Sequence, residues 1–282
     1  MQEKENSGIR SFKELQFHDD FMFAVIMRKE KYCRPFLETV LGIKIKKIVY
    51  PESQKTIDLT QNGKSVRLDV YVNDDENTVY NIEMQTTSKK NLPKRSRYYQ
   101  AMIDLNILDK GQDYTKLTKS FVIFVCTFDF YKKGRHIYRF ENLCTDDTSI
   151  RFGDETIKVV LNTKGTLNDV SDEMLELLAY IDNGQVTNSF TRELDREVNS
   201  VRNNEKWRRE YMTLMMALEE KKQEGFEEGH KEGREEGQEE LAQATLLVRN
   251  GCSTVEALEA KGVSKSVAEK ALKLAKELGV LE

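Results

Sequence analysis

Residues 66–85 read Val-Arg-Leu-Asp-Val-Tyr-Val-Asn-Asp-Asp-Glu-Asn-Thr-Val-Tyr-Asn-Ile-Glu-Met-Gln. Val66, Leu68, Val70 and Val72 alternate with Arg67, Asp69 and Tyr71, and Tyr80, Ile82 and Met84 alternate with Asn81, Glu83 and Gln85. A period of two in both runs predicts two β-strands, and Asp74-Asp75-Glu76-Asn77 between them is turn chemistry. Reflecting this hairpin about residue 76 sets Asp69 opposite Glu83, on the faces away from the two apolar rows. Directly opposed residues have Cβ atoms about 4.5–5.5 Å apart. Two carboxylates so placed repel unless a cation lies between them. Mg²⁺ suits that position, because it takes carboxylate oxygens and keeps several waters. A metal-activated water beside a phosphodiester is a hydrolytic nucleophile.

The alternation alone is equally satisfied by polar positions facing solvent on an amphipathic hairpin. What weighs against that reading is the company the two acids keep. Asn81 and Gln85 share the face of Glu83. Just downstream Lys89, Lys90, Lys94, Arg95 and Arg97 place five bases and no acid within 88–97, followed by Tyr98 and Tyr99. A basic helix start beside paired carboxylates suits an anionic polymer such as DNA.

Working outward, a second hairpin is expected from Lys55–Thr60 and Lys64–Asn73 around Asn62-Gly63, a dipeptide favoured in tight turns. Upstream, residues 20–41 read as one helix, with Asp19 or Asp20 as its cap, Gly42 beyond its end and Pro35 as a possible kink. Ile43, Ile45 and Ile48 begin a β-like alternation that stops at Pro51. Downstream, residues 93–109 fit a helix entered at Pro93, with Tyr98, Ala101, Met102 and Leu105 on one side. Phe121–Thr127 is a continuous apolar run, as a central strand covered on both faces requires. Residues 135–141 and 156–162 are candidate edge strands. From about 169 the chain reads as helical, over 171–182 and 189–223, and then through shorter helices to the end.

The combination of Asp69, Ile82-Glu83-Met84-Gln85, Arg97-Tyr98-Tyr99-Gln100 and Gly111-x-x-Tyr114-x-x-Leu117 resembles the recombination-promoting nuclease (Rpn), transposase-like family of the PD-(D/E)xK nuclease superfamily. Asp20-Phe21-Met22-Phe23 resembles that family's Asp-x-x-Phe opening, and the glycine-repeat tail is similar too. The resemblance covers about 15–165 and the tail. It implies an α/β, restriction-endonuclease-like αβββαβ core with a mostly helical C-terminal extension. It further implies a DNA endonuclease using Mg²⁺ or Mn²⁺, set in recombination, mobile elements or phage defence. Asp69 and Glu83 would be its metal-binding acids, and Gln85 would occupy the lysine position of the superfamily motif. Gln85 can orient a water or a phosphate oxygen but cannot neutralise charge, so the cation must come from the metal or from Lys89, Lys94 or Arg97. Asp20 is either a third metal acid or simply a helix cap. Arg97 and Gln100, at i and i+3, either line the site or form an exposed polar stripe. Tyr98 and Tyr99 can stack on bases, although one of them is expected in the core. Lys89, Lys94, Arg97, Tyr99 and Gln100 are thus the expected DNA contacts.

Composition narrows the alternatives. Four cysteines without Cys-x-x-Cys spacing and three distant histidines disfavour a disulfide framework or a zinc site. His136 is expected to be structural. Net charge is −4, but residues 219–240 carry ten acids and four bases, so the rest of the chain is net positive and compatible with DNA. No apolar run approaches a membrane span, and the polar start Met1–Asn6 gives the expectation of a cytoplasmic chain.

The organisation expected is a nuclease-like domain over 1–168, a helical extension over 169–223, a Gly-x-x-x-Gly charged helix or linker over 224–240, and a small helical segment over 241–282. Gly225, Gly229, Gly233 and Gly237 either let two helices of a homo-oligomer approach or mark a solvated spacer. Ser253-Thr254-Val255-Glu256 has a capping-box pattern, and the last helices form either a helical cap or a small helix-turn-helix. Two rival functions are a catalytically weak or inactive DNA-binding module and a purely structural helical oligomer.

Overall fold

The computed structural model describes residues 10–50, 56–57, 66–67 and 69–279. Its first helices are α1 (Asp20–Met27) and α2 (Glu30–Leu41). α1 buries Met22, Phe23, Val25, Ile26 and Met27, while α2 buries the stripe Tyr32, Cys33, Phe36, Leu37 and Val40. The single helix expected over 20–41 is therefore two. The break falls at Arg28–Lys29, where Lys29 turns extended and its carbonyl accepts from the Cys33 N–H at 3.0 Å; Pro35 lies within α2. Gly42 ends α2 at φ 70°, a left-handed conformation that glycine adopts without a Cβ penalty.

Six strands form one mixed sheet: β1 (Ile48–Val49), β4 (Val70–Asp74), β5 (Val79–Gln85), β6 (Ser120–Cys126), β7 (Ile137–Phe140) and β8 (Thr156–Asn162). Their order is β1-β4-β5-β6-β8-β7. The β5–β6 and β6–β8 pairs are parallel and the others antiparallel. In the deciding hairpin Val70 pairs with Ile82 and Asn73 with Val79, which is the register obtained by reflection about residue 76. The turn is fixed by Asp74, whose carboxylate accepts from the N–H groups of Glu76 and Thr78 and from the Tyr80 hydroxyl at 2.7–2.9 Å.

A separate ribbon pairs β2 (Thr56–Ile57) antiparallel to β3 (Val66–Arg67), the two sides of the hairpin expected around Asn62-Gly63. That turn lies outside the described residues. β6 is buried along its whole length, as its unbroken apolar sequence demands. β8 is not an edge strand. It sits between β6 and β7 with Val159, Val160 and Leu161 buried, and the apolar run Val-Val-Leu is the sign of its interior position.

α3 (Leu92–Ile107) connects β5 to its parallel neighbour β6 and packs on β6. Leu92, Tyr99, Met102 and Ile103 face Tyr71, Val79, Val122, Phe124 and Val160 in one apolar cluster. The helix is therefore turned relative to expectation: Tyr98 is 40% and Leu105 58% exposed. Both candidate stripes share Met102, and the one that is buried runs from Leu92 through Tyr99 to Ile103.

Beyond the sheet lie α4 (Asp172–Asn183), α5 (Ser189–Arg202), α6 (Glu205–Arg249), α7 (Val255–Glu259) and α8 (Lys265–Glu277). The helix expected over 189–223 is interrupted at Asn203–Asn204, and the Asn204 side chain accepts from the Lys206 N–H at 2.9 Å to start α6. α4 packs on α2 and α5 on α1. The first compact unit runs to Tyr211, and the second spans Met212–Glu282. The second has its own small core of Ala244, Val248, Leu258, Val263, Ala268, Ala271 and Ala275. Thr254, one residue after the expected Ser253, caps α7 by accepting from the Ala257 N–H. The glycine tract is continuous α-helix, and a Cβ at Gly225, Gly229, Gly233 or Gly237 would meet nothing within 4 Å. No helix among the described residues is long and apolar enough to cross a membrane.

Candidate active site

β4 begins at Val70, so Asp69 stands where the β4–β5 ladder ends. Beyond that rung side chains replace the ladder. Asp69 Oδ2 accepts from the Met84 N–H at 3.2 Å, and Glu83 Oε1 accepts from the Asp69 N–H at 3.3 Å. The two carboxylates therefore lie near enough to interact, Asp69 half-buried and Glu83 only 2% exposed. The face is the one covered by α3. Burial first, and the Asp69 charge second, push the Glu83 carboxyl well above its ordinary range, while the Asp69 amide, Asn81 and Arg95 pull the other way. A buried acid facing a second acid gains most from a cation.

The cation that the fold brings to this pair is Arg95, on the first turn of α3. Its guanidinium lies 3.8 Å from Glu83 Oε2, donates to Gln85 Oε1 at 2.7 Å and to the Tyr99 hydroxyl at 2.8 Å. It also rests over the rings of Tyr99 and Phe124, with centroids at 5.4 and 5.7 Å. Such stacking and directed donation are what the planar guanidinium does and an ammonium does not. In the sequence Arg95 is one of five bases in the run 88–97, and its charge alone does not single it out. The available signal is its i−4 spacing from the buried Tyr99, which puts both on the inner face of α3.

Gln85 is half-buried at the end of β5, and its amide nitrogen donates to the Met84 carbonyl at 2.5 Å. Asn81, two residues before Glu83 on the same face, is fully buried and close enough to the Glu83 carboxylate to stabilise its charged form.

The other expected residues are placed as follows. Asp20 lies at the start of α1, with Asp19 as the residue before the helix. Burial, followed by the Asp19 charge, raises its carboxyl, and Arg95 opposes this, so Asp20 belongs to the electrostatic surroundings of Arg95. Among the described residues, however, no three His, Cys, Asp or Glu side chains gather closely enough to hold one ion. Asp20 does not close with Asp69 and Glu83 into a three-acid set.

Lys89, Lys94 and Arg97 are exposed around the start of α3. Tyr99 is buried, its ring stacked on Phe124 at 6.0 Å, so the ring of Phe124 and the guanidinium of Arg95 occupy the surfaces on which a base would stack. Tyr98 is the exposed one of the pair. Gln100 turns away from the acids. Its amide donates to Asp104 at 2.9 Å and to Ser120 at 2.7 Å, and Ser120 lies four positions along β6 from Phe124, the partner of Glu83, or about 13 Å. His136 is buried against Asp169 at 2.9 Å, a structural tie between β7 and the segment after β8.

A family model described as PD-(D/E)XK nuclease family transposase matches residues 18–174, more than half of the chain. No curated protein and no solved structure matches it.

Proposed function

The chain belongs to the PD-(D/E)XK nuclease family transposase family, and from that premise we propose that it is a Mg²⁺-dependent DNA endonuclease. The observation that carries the reading is the reciprocal hold of Asp69 and Glu83 on each other's strands, beside exposed Lys89, Lys94 and Arg97.

The donor set fits the ion. Two carboxylates supply hard oxygen ligands, and Mg²⁺ is commonly bound through one or two carboxylates with water completing its shell. Asp69 and Glu83 would hold it, with Asp20 outside their grasp as an acid tuning the surroundings. A bound Mg²⁺ would contribute Lewis-acid polarisation of a phosphate oxygen and a more acidic water.

The chain's own residues do the rest. Gln85 orients a water or phosphate oxygen by hydrogen bonding, and the basic start of α3 holds the DNA backbone through Lys89, Lys94 and Arg97. By resemblance, the cuts would serve recombination, mobile elements or phage defence, in the cytoplasm. The C-terminal helices would join copies into a homo-oligomer.

The test is plasmid nicking in Mg²⁺ by wild type, Asp69→Ala and Glu83→Ala. Cleavage by the first alone supports the reading, and equal cleavage by all three removes both acids from the mechanism. Gln85 in place of lysine favours a second reading, a DNA-binding module that has lost turnover. Calorimetry with Mn²⁺ separates the two, because a chain that binds DNA but no Mn²⁺ fits only the module.

A further inference from the structure

We propose that Arg95 and Gln85 act as one unit that replaces the lysine of the PD-(D/E)XK motif, Arg95 being the positioning residue. The inference deepens the nuclease reading and rests on it.

The motif named by the family ends in lysine, and this chain has Glu83-Met84-Gln85. A lysine ammonium brings a positive charge and hydrogen-bond donors only. Glutamine brings neither property securely, since it carries no charge and its amide offers an acceptor as readily as a donor. Arg95 supplies what is missing. A guanidinium has no acceptor, so the group it meets at 2.7 Å must be the oxygen of Gln85. That bond fixes which way the amide faces and leaves its nitrogen as the donor, with one N–H directed to the Met84 carbonyl and the other available to a ligand. The same guanidinium adds the positive charge, 3.8 Å from Glu83.

The position of Arg95 is itself held on several sides. The Tyr99 hydroxyl accepts at 2.8 Å, and the rings of Tyr99 and Phe124 lie beneath the guanidinium. Two of its five N–H groups are used by Gln85 and Tyr99, so the guanidinium is committed to setting the Gln85 amide and facing Glu83. A long side chain from a neighbouring helix thereby delivers to the motif position the charge that the motif's own third residue lacks. An exposed base such as Arg97 cannot, because nothing fixes its distance from Glu83.

The experiment moves the charge back. Wild type, Arg95→Ala, Arg95→Lys and the double variant Arg95→Ala/Gln85→Lys are compared by single-turnover nicking of supercoiled plasmid in Mg²⁺. Each is also compared by anisotropy of a fluorescein-labelled DNA duplex in EDTA and by thermal melting. The expected result is a loss of about 100-fold or more in cleavage for Arg95→Ala with duplex affinity changed less than about threefold. Arg95→Lys should recover part of that loss, because it returns the charge without the fork. The double variant should recover to within about tenfold of wild type, because the lysine then stands where the motif places it.

A folded double variant as slow as Arg95→Ala overturns the inference, and so does an Arg95→Ala variant whose rate and affinity fall together. If Arg95→Ala melts too low to assay, Arg95→Lys decides: cleavage equal to that of wild type overturns the inference, and a loss of cleavage with unchanged duplex affinity supports it. Wild type that cuts while Arg95→Ala cuts equally well sinks this inference alone. Wild type that cuts nothing sinks the nuclease reading and this inference with it.

Discussion

Asp69 and Glu83 each hold the backbone of the other's strand, Asp69 through the Met84 N–H and Glu83 through the Asp69 N–H. The ladder ends one rung earlier, at Val70–Ile82, and the two carboxylates interact across the strands. Because Glu83 is almost wholly buried, the arrangement is poor for the metal-free protein and good for a cation. Asp69→Asn and Glu83→Gln keep the shapes and remove the charges. Each should lower Mg²⁺-dependent cleavage by more than about 100-fold, beyond the usual effect of losing a residue behind a metal ligand. Quantitative nicking at saturating DNA measures it, and a variant within tenfold of wild type would exclude that residue as a ligand.

The raised Glu83 carboxyl has a signed consequence for stability. In chelator the folded state binds this proton more tightly than the unfolded chain does. Its contribution is therefore fully present below the ordinary carboxylate range and is lost as pH rises through the elevated folded value. Glu83→Gln removes that dependence. Urea unfolding in EDTA between pH 4 and pH 8, on the order of the range where carboxylates and their raised forms titrate, should give a flatter profile for the variant. Its stability at the upper end should equal or exceed that of wild type, even though it cuts no DNA. A variant that instead loses stability most at high pH would contradict the assigned direction.

Tyr98 and Tyr99 are adjacent in sequence and opposite in consequence. Tyr99→Ala removes a ring packed between Phe124 and Arg95 and should cost about 3–5 kcal/mol. Tyr99→Phe removes only the hydroxyl that receives Arg95 and should cost about 1–2 kcal/mol. Tyr98→Ala, at a position 40% exposed, should cost less than Tyr99→Ala. Denaturant unfolding of the three variants reads the order directly, and a reversal of Tyr98 and Tyr99 would mean that α3 is rotated.

The exposed bases at the start of α3 make a different kind of contribution. Lys94→Ala/Arg97→Ala should weaken duplex binding at low salt. The slope of log K against log salt should fall by up to about 2, roughly 0.9 for each phosphate that is no longer neutralised. Binding measured across a salt series gives the slope. An unchanged slope would place the DNA elsewhere on the protein.

Much of this site is legible in the sequence, for a particular reason. A strand repeats every two residues and a hairpin reflects about its turn, so Asp74-Asp75-Glu76-Asn77 alone fixes that Asp69 faces Glu83. The observed Val70–Ile82 pairing obeys that symmetry. Helix rotation has no such anchor. The stripes through Tyr98 and through Tyr99 differ by one residue, about 100° around α3, and only the packing of Phe124 against Tyr99 selects between them. That ambiguity hides Arg95, which lies on the inner stripe with Tyr99, whereas Arg97 lies on the outer one. β8 reads as an edge strand for a similar reason: its position between β6 and β7 is set by long-range pairing, of which the local sequence carries only the apolar run at 159–161.

The glycine tract turns a conformational fact into a test of assembly. Within a single chain, Gly225, Gly229, Gly233 and Gly237 lie in α6 with open space where each Cβ would stand. Replacing all four by alanine should favour the isolated helix by about 0.8–1 kcal/mol at each position. If the tract were only a solvated spacer, the sole effect would be a higher melting temperature and greater helicity. Self-association through these small residues predicts the opposite for the complex, because four methyl groups would hold two helices apart at the place of closest approach. Met212, Met216 and Phe226, each at least half exposed on the same helix, would then be uncovered together. We therefore expect the quadruple variant to have lower mass by light scattering at micromolar concentration than wild type, while its α6 gains helicity. A monomeric wild type, or a variant of unchanged mass and higher melting temperature, would assign the tract to the spacer.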